Sequence, residues 1–144
     1  MKVVIAIDGQ QSADSVLQHV VERNYGPETQ VHLIHVIPPM FADTHVEGIP
    51  DVVADEKKEE ETILDNLAKG LKEKLGITAT TAILSGEVAP TVSEVCKSLN
   101  ADELIVPSHH RHGFSRLWFG SVADALVDAV PCAALVLKMP QEHK

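Results

Sequence analysis

The stretch Lys2–Ile7, KVVIAI, is followed directly by Asp8 and Gly9. It is a near-continuous run of β-branched and other apolar residues, a pattern typical of a strand that is covered on both faces of a parallel sheet. From Ser12 onward the apolar residues instead follow the spacing of one helix face, at i, i+3, i+4, i+7 and i+8 counted from Ala13. A buried strand followed by an amphipathic helix is the first half of a βαβ unit. The stretch therefore predicts an α/β fold.

The rest of the chain repeats this alternation of strand and helix. Hydrophobic periodicity predicts strands at Val31–Ile37, Ile77–Leu84, Glu103–Val106 and Ala133–Leu137, and helices at Asp55–Leu75, from about Pro90, and at Ser121–Ala129. Met40 to Val53 has no clear period and is predicted to be a long loop. We predict a five-stranded, mainly parallel, doubly wound sheet with helices on both faces, and a single domain over residues 1–144.

Composition narrows the classes of function. The chain has 144 residues and a net charge of −9, which disfavours binding to nucleic acid and to anionic membranes. Only five uninterrupted apolar residues precede Asp8, too few for a signal peptide or a membrane span. We therefore expect a cytoplasmic protein without membrane insertion. Cys96 and Cys132 lack the C-x-x-C spacing and are expected to be small buried hydrophobic residues.

The predicted topology also says where a ligand would bind. In an open doubly wound sheet, ligands bind beyond the carboxyl ends of the strands, where the strand order reverses. Asp8 and Gly9 follow the first strand, and Pro107 to Gly113 follow the fourth. Gly120 and Ser121 stand at a predicted helix start, where free N–H groups favour an anion. The residues predict an anion or nucleotide pocket there.

Several segments carry a resemblance to a known family. ELIVPSHHRHGFSRLWFGSVADALVDAVPCAALVLK (residues 103–138) resembles the C-terminal half of universal stress proteins, and VVIAIDGQQSADSVLQHV and VHLIHVIPP are similar to earlier parts of the same family. The resemblance covers essentially the whole chain and implies the adenine nucleotide alpha hydrolase-like fold. It also implies a stress-response regulator with an ATP or AMP pocket, and a homodimer paired through the last strand, Ala134–Leu137.

The resemblance further implies the residues of that pocket. Asp8 would bind the adenosine, Val36 the adenine, and Gly120, Ser121 and Val122 the phosphate or ribose. Members that bind ATP carry glycines where this chain has Pro107 and His110. Proline has no N–H to donate and His110 adds an imidazole, so the phosphate loop is atypical. Cationic side chains can replace the missing donors, and the candidates are His109, His110, Arg111, His112 and Arg116.

Alternatives to a nucleotide-binding regulator remain open at this point. The first is an interaction module of the same fold that uses no nucleotide and binds an unknown protein partner. A slow ATPase is another, with Asp8 as the candidate base, although we predict no catalytic residue. Metal binding by His109, His110 and His112 is a third, against a default of an exposed polar loop. We also expect the charge run Asp55–Glu61 to be a solvated helix face, and His32 and His35 to be structural or rim residues on opposite faces of a strand.

Overall fold

The computed structural model describes residues 1–37, 52–108 and 120–138. Within these ranges lie five strands and four helices in strict alternation. The strands are β1 (Lys2–Ala6), β2 (Gln30–Ile37), β3 (Ala79–Ser85), β4 (Glu103–Ser108) and β5 (Ala133–Lys138). The helices are α1 (Gln10–Glu22), α2 (Val52–Leu75), α3 (Val88–Leu99) and α4 (Gly120–Ala129).

The five strands form one parallel sheet in the order β3-β2-β1-β4-β5. β1 is central, and its Ile5 pairs with Leu33 of β2 on one side and with Ile105 of β4 on the other. Consecutive strands add outward from β1 on one side and then on the other, so the strand order reverses between β1 and β4. The predicted doubly wound parallel sheet is confirmed.

Each face of the sheet has its own hydrophobic core. Alternate residues of β1 divide between the two cores, because successive strand side chains point to opposite faces. Ile5 and Ile7 pack with α1 and α2, which contribute Val16 and Leu64 among others. Val4, Ala6, Ile34, Val36, Val92, Cys96, Leu104, Val106 and Leu126 form the second core. Helices therefore cover both faces, as the sequence pattern predicts.

Several element boundaries differ from the sequence-based predictions. α2 begins at Val52, so the predicted loop Met40–Val53 is wrong at its last two residues, and residues 40–51 lie outside the described part. Asp51 precedes the first helical residue in the sequence, and Asp is favoured in that position. β3 begins at Ala79, because the N–H of Ile77 still donates to the Leu71 carbonyl at the end of α2.

β4 is longer than its sequence suggests. We expected it to end at Val106, before Pro107, but Pro107 is buried and pairs in register with Leu137 of β5. A proline removes one donor from a strand without preventing its carbonyl or its side chain from taking part. Pairing of β4 with β1, by contrast, stops at Ile105. Past that point the register of β4 continues only with β5, up to Ser108 and Lys138.

The cysteine prediction holds for one of the two thiols. Cys96 is fully buried in the second core, while Cys132 is half-buried beside it. Burial, with a smaller contribution from the neighbouring Cys132, raises the pKa of the Cys96 thiol to about 12. A thiol with such a pKa is almost entirely protonated at neutral pH, which fits the packing role that we predicted.

Candidate functional site

Asp8 is the first residue beyond the described hydrogen-bonded end of β1. The Ile7 N–H donates to the Ile34 carbonyl at 2.9 Å, so the chain remains joined to β2 up to that point. The Asp8 N–H then donates to the hydroxyl of Ser12 at 2.9 Å, and that hydroxyl donates to the Gly9 carbonyl at 2.8 Å. Ser12 is fully buried. These bonds hold Asp8 at the carboxyl end of the central strand.

Gly9 makes the turn from β1 into α1 possible. Its φ is +91°, a conformation that residues with a side chain rarely adopt. Among the described residues other than its two chain neighbours, none has an atom within 4 Å of where a Cβ would stand, so the backbone conformation rather than a lack of space favours glycine here. The N–H of Gly9 donates to Oε1 of Glu60 at 3.2 Å. α2 is thereby joined to the turn that carries Asp8.

Asp8 is half-buried as a residue, and within the described part of the chain its carboxyl group is incompletely hydrogen-bonded. Among the described residues its Oδ2 has no hydrogen-bond partner, although the atom is shielded from solvent. A buried acceptor of this kind costs about 1–3 kcal/mol when it stays unmatched. Burial raises the pKa of Asp8 to about 7; nearby His35 lowers it, and the carboxyls of Glu60 and Glu56 raise it.

His35 lies beside Asp8 and is 1% exposed. Its Nδ1 is 2.9 Å from the Ile7 carbonyl and 3.2 Å from Oε1 of Glu60, and its Nε2 is 3.2 Å from Oε2 of Glu56. Of the two roles predicted for His35, structural or rim, the structure supports the structural one. His32, three residues earlier, bonds Thr80 at 2.6 Å and lines a groove beside α3, so the two rings do lie on opposite faces.

The acidic residues of α2 divide into two groups. Asp55, Glu59 and Glu61 are exposed, but Glu60 is 7% exposed and Glu56 is about one third exposed. The prediction that the whole run is a solvated face is therefore wrong for Glu56 and Glu60. Their spacing carries the signal that was missed. They continue the apolar stripe of α2 toward its beginning, in the order Glu56, Glu60, Leu64, Leu67, Leu71 and Leu75.

The structure places the predicted pocket residues as follows. Asp8, Val36 and Pro107 lie at the carboxyl ends of β1, β2 and β4, three adjacent strands. Val36 is fully buried in the second core and pairs with Leu84 of β3. Gly120, Ser121 and Val122 are the first three residues of α4. His110 and Arg111 lie outside the described residues, as do His109, His112 and Arg116.

Three further observations concern metal ions, membrane-spanning helices and a groove away from Asp8. In the part of the chain that the structure describes, no group of three His, Cys, Asp or Glu side chains is arranged to hold a metal ion. Likewise, none of the helices within residues 1–37, 52–108 and 120–138 has the length and hydrophobicity needed to cross a membrane. A groove of about 640 Å³ lies between β3 and α3, lined by Leu84, Pro90 and Val95 among others, and Asp8 is not part of it.

A family model described as the universal stress protein family matches residues 1–138. The chain belongs to the universal stress protein family. The resemblance predicted from the sequence is thereby confirmed. A universal stress protein of Methanocaldococcus jannaschii is 25% identical over 99% of this chain and 84% of that relative.

Solved structures agree on the universal stress protein fold. The hypothetical protein MJ0577 is 20% identical, with a TM-score of 0.79 over 98% of this chain and 97% of that protein. A universal stress protein from Archaeoglobus fulgidus in complex with dAMP is 18% identical, with a TM-score of 0.66 over 96% and 98%. A universal stress protein family protein from Arabidopsis thaliana with AMP bound is 16% identical, with a TM-score of 0.64 over 97% and 92%.

Proposed function

We propose that this protein is a stress-response regulator, cytoplasmic and homodimeric, whose single domain binds ATP or AMP where the strand order reverses. The observation that carries the proposal is the buried Oδ2 of Asp8, an acceptor without a donor among the described residues. The ribose hydroxyls and the exocyclic amine of an adenine nucleotide are donors of the right kind. Structural neighbours with AMP or dAMP bound support the same ligand class.

Two strand ends and the start of α4 supply the proposed pocket. Asp8 receives the adenosine. Val36 ends the adjacent strand with its side chain buried in the second core, and the family resemblance assigns this position to the adenine. Gly120, Ser121 and Val122 begin α4, where free backbone N–H groups and the helix dipole favour a phosphate. His110 and Arg111, which lie outside the described residues, are the candidate cations for the same phosphate. The register between β1 and β4 ends at Ile105, and the carboxyl ends of these two strands mark the reversal of strand order where we place the ligand.

Calorimetric titration tests the proposal directly. ATP, ADP, AMP and adenosine are titrated at pH 8 into the wild-type protein, into Asp8→Ala and into the control Asp65→Ala, which removes an exposed carboxylate from α2. Asp8→Ala is expected to weaken adenosine and AMP by at least about tenfold, since a hydrogen bond to a charged group is worth about 1.5–3 kcal/mol. Asp65→Ala should match the wild type. Equal affinities in all three proteins would place the ligand elsewhere.

A second candidate function is an interaction module that uses no nucleotide. Pro107 favours it, because this buried residue has no N–H to donate where nucleotide-binding members carry glycine. Under this hypothesis none of the four ligands produces heat with the wild-type protein. Mass spectrometry of small molecules released from freshly purified protein provides an independent check, because a co-purified adenine nucleotide would reject the module hypothesis.

A further inference from the structure

Asp8 belongs to a cluster of four ionisable side chains, which we name the Asp8 cluster: Asp8, His35, Glu56 and Glu60. His35 comes from β2, and Glu56 and Glu60 come from successive turns of α2. The His35 ring lies between the two glutamates, 3.2 Å from each. From α1 the neighbour of Asp8 is Ser12, whose hydroxyl does not titrate in the physiological range. The charge that Asp8 experiences is therefore set mainly from β2 and α2.

Two members of the cluster hold the backbone on either side of Asp8. His35 bonds the carbonyl of Ile7 through Nδ1 at 2.9 Å. Glu60 accepts the N–H of Gly9 at 3.2 Å. The peptide groups before and after Asp8 are thus tied to the same imidazole–carboxyl pair. Any change in the charge of that pair acts directly on the geometry and on the ionisation of Asp8.

The hydrogen-bond partners of His35 indicate where protons lie within the cluster. Nδ1 of His35 faces the Ile7 carbonyl, which can only accept, so Nδ1 carries a hydrogen. Nε2 faces a carboxyl oxygen of Glu56, and that contact needs one more proton on either the ring or the carboxyl. If every group were ionised, three negative charges would surround one positive charge in a mostly buried site. Such a site favours retention of a proton at neutral pH.

The retained proton affects ligand binding, because the proposed ligand needs an ionised carboxylate as its hydrogen-bond acceptor. A ribose hydroxyl or an adenine amine donates to an ionised carboxylate, whereas a protonated carboxyl presents one acceptor fewer and a competing donor. Burial already raises the pKa of Asp8 to about 7 and also raises that of Glu60. Near neutral pH, adenosine and a proton therefore compete for Asp8.

We propose that His35 and Glu60 are positioning residues that make adenosine binding at Asp8 proton-coupled, so that the pocket releases a proton when it takes up the ligand. The proposal rests on the proposed function, because it presumes that the ligand contacts Asp8. The proposal predicts the direction in which affinity for adenosine changes with pH. Affinity rises with pH until Asp8 is ionised in the free protein, and then levels off. A phosphate held by loop histidines would give the opposite trend, since imidazoles lose their charge as pH rises.

The test follows adenosine, which has no phosphate to titrate, from pH 5.5 to 8.5 by calorimetry. The variants are His35→Gln, Glu60→Gln and the control Glu61→Gln, which removes the same charge from the exposed face of α2. The wild-type affinity should rise about tenfold per pH unit below pH 6.5 and level off above about pH 7.5, as expected for one proton. Glu60→Gln should move the midpoint to lower pH, His35→Gln to higher pH, and Glu61→Gln should leave it unchanged.

A second measurement separates this inference from the proposed function. The side-chain carboxyl carbon of Asp8 is titrated by ¹³C NMR in the free protein and in the same variants. Opposite shifts of the Asp8 midpoint in His35→Gln and Glu60→Gln show that the cluster sets the ionisation of Asp8 whether or not adenosine binds. If adenosine fails to bind while these shifts are seen, the proposed function and its coupling to the proton are lost, but the effect of His35 and Glu60 on Asp8 stands. The inference is overturned if wild-type Asp8 titrates near pH 4 in the folded protein, or if adenosine binds with one flat pH profile throughout.

Discussion

At the scale of single residues, Asp8 shows a conflict between ligand binding and stability. The pKa of Asp8 is 3.8 in an unfolded chain, and burial raises this pKa to about 7 in the folded protein. Because the folded state binds the proton more tightly, stability is lost as pH rises between those two values. Above pH 7 the folded protein carries a buried charge in full.

Asp8→Asn should therefore stabilise the protein at high pH. The amide has nearly the same shape and no charge, so the gain in unfolding free energy should be larger at pH 8 than at pH 5. Each pH unit in this window corresponds to about 1.4 kcal/mol for a lone group. Because Asp8 also interacts electrostatically with His35 and the two glutamates, we expect a difference on the order of 2 kcal/mol. Urea unfolding of both proteins at pH 5 and pH 8 measures this difference. An equal gain in unfolding free energy at both pH values would contradict the raised pKa of Asp8.

At the scale of secondary structure, hydrophobic period was enough to predict the order of strands and helices. It was not enough to predict that Glu56, Glu60 and His35 are buried or partly buried. A polar residue in an otherwise apolar stripe can be assigned to the core only when the group that it bonds is known. Glu60 is in phase with Leu64 but was assigned to the solvated face with its charged neighbours. Its partner, His35, is 25 residues away in the sequence and is brought close by the packing of α2 on β2.

The end of β4 was missed for a related reason. Pro107 reads locally as a strand terminator, whereas pairing with β5 continues the strand through it. A proline lacks one backbone N–H donor, and this alone does not end a strand. Whether the strand ends there depends on how the residues beside the proline pair with the neighbouring strand. Predictions from sequence are therefore least secure where a strand end and a candidate site coincide.

Pro107→Gly tests what the proline does at the end of β4. The glycine restores a backbone N–H where nucleotide-binding members have one, at some loss of strand stability. We expect the affinity for ATP to rise about three- to tenfold, as for one added hydrogen bond, and the affinity for adenosine to stay constant. Calorimetry with both ligands measures the ratio. If both affinities change by the same factor, Pro107 affects the fold of the pocket rather than its contacts with phosphate.

At the scale of the whole molecule, the two edge strands of the sheet differ in how apolar they are, and therefore in how well they can pair with a second copy of the chain. Within the described residues, β3 and β5 are the edge strands. The inner residues of β5, Ala134 to Leu137, are all half-buried in the isolated chain, whereas Thr80 and Thr81 of β3 are exposed. An apolar edge strand with unpaired backbone groups favours pairing with another strand. This supports the proposed homodimer through β5.

Val136→Pro should therefore convert the protein to monomers, because a proline cannot donate in a strand ladder and disturbs the edge that it occupies. Light scattering coupled to size-exclusion chromatography measures the mass, with circular dichroism to show that the variant is folded. Thr81→Pro on the opposite edge is the control and should remain dimeric. Each copy carries a net charge of −9, so the wild-type dimer should also tighten as salt screens their repulsion. A folded Val136→Pro variant that remains dimeric would show that the copies pair through another surface.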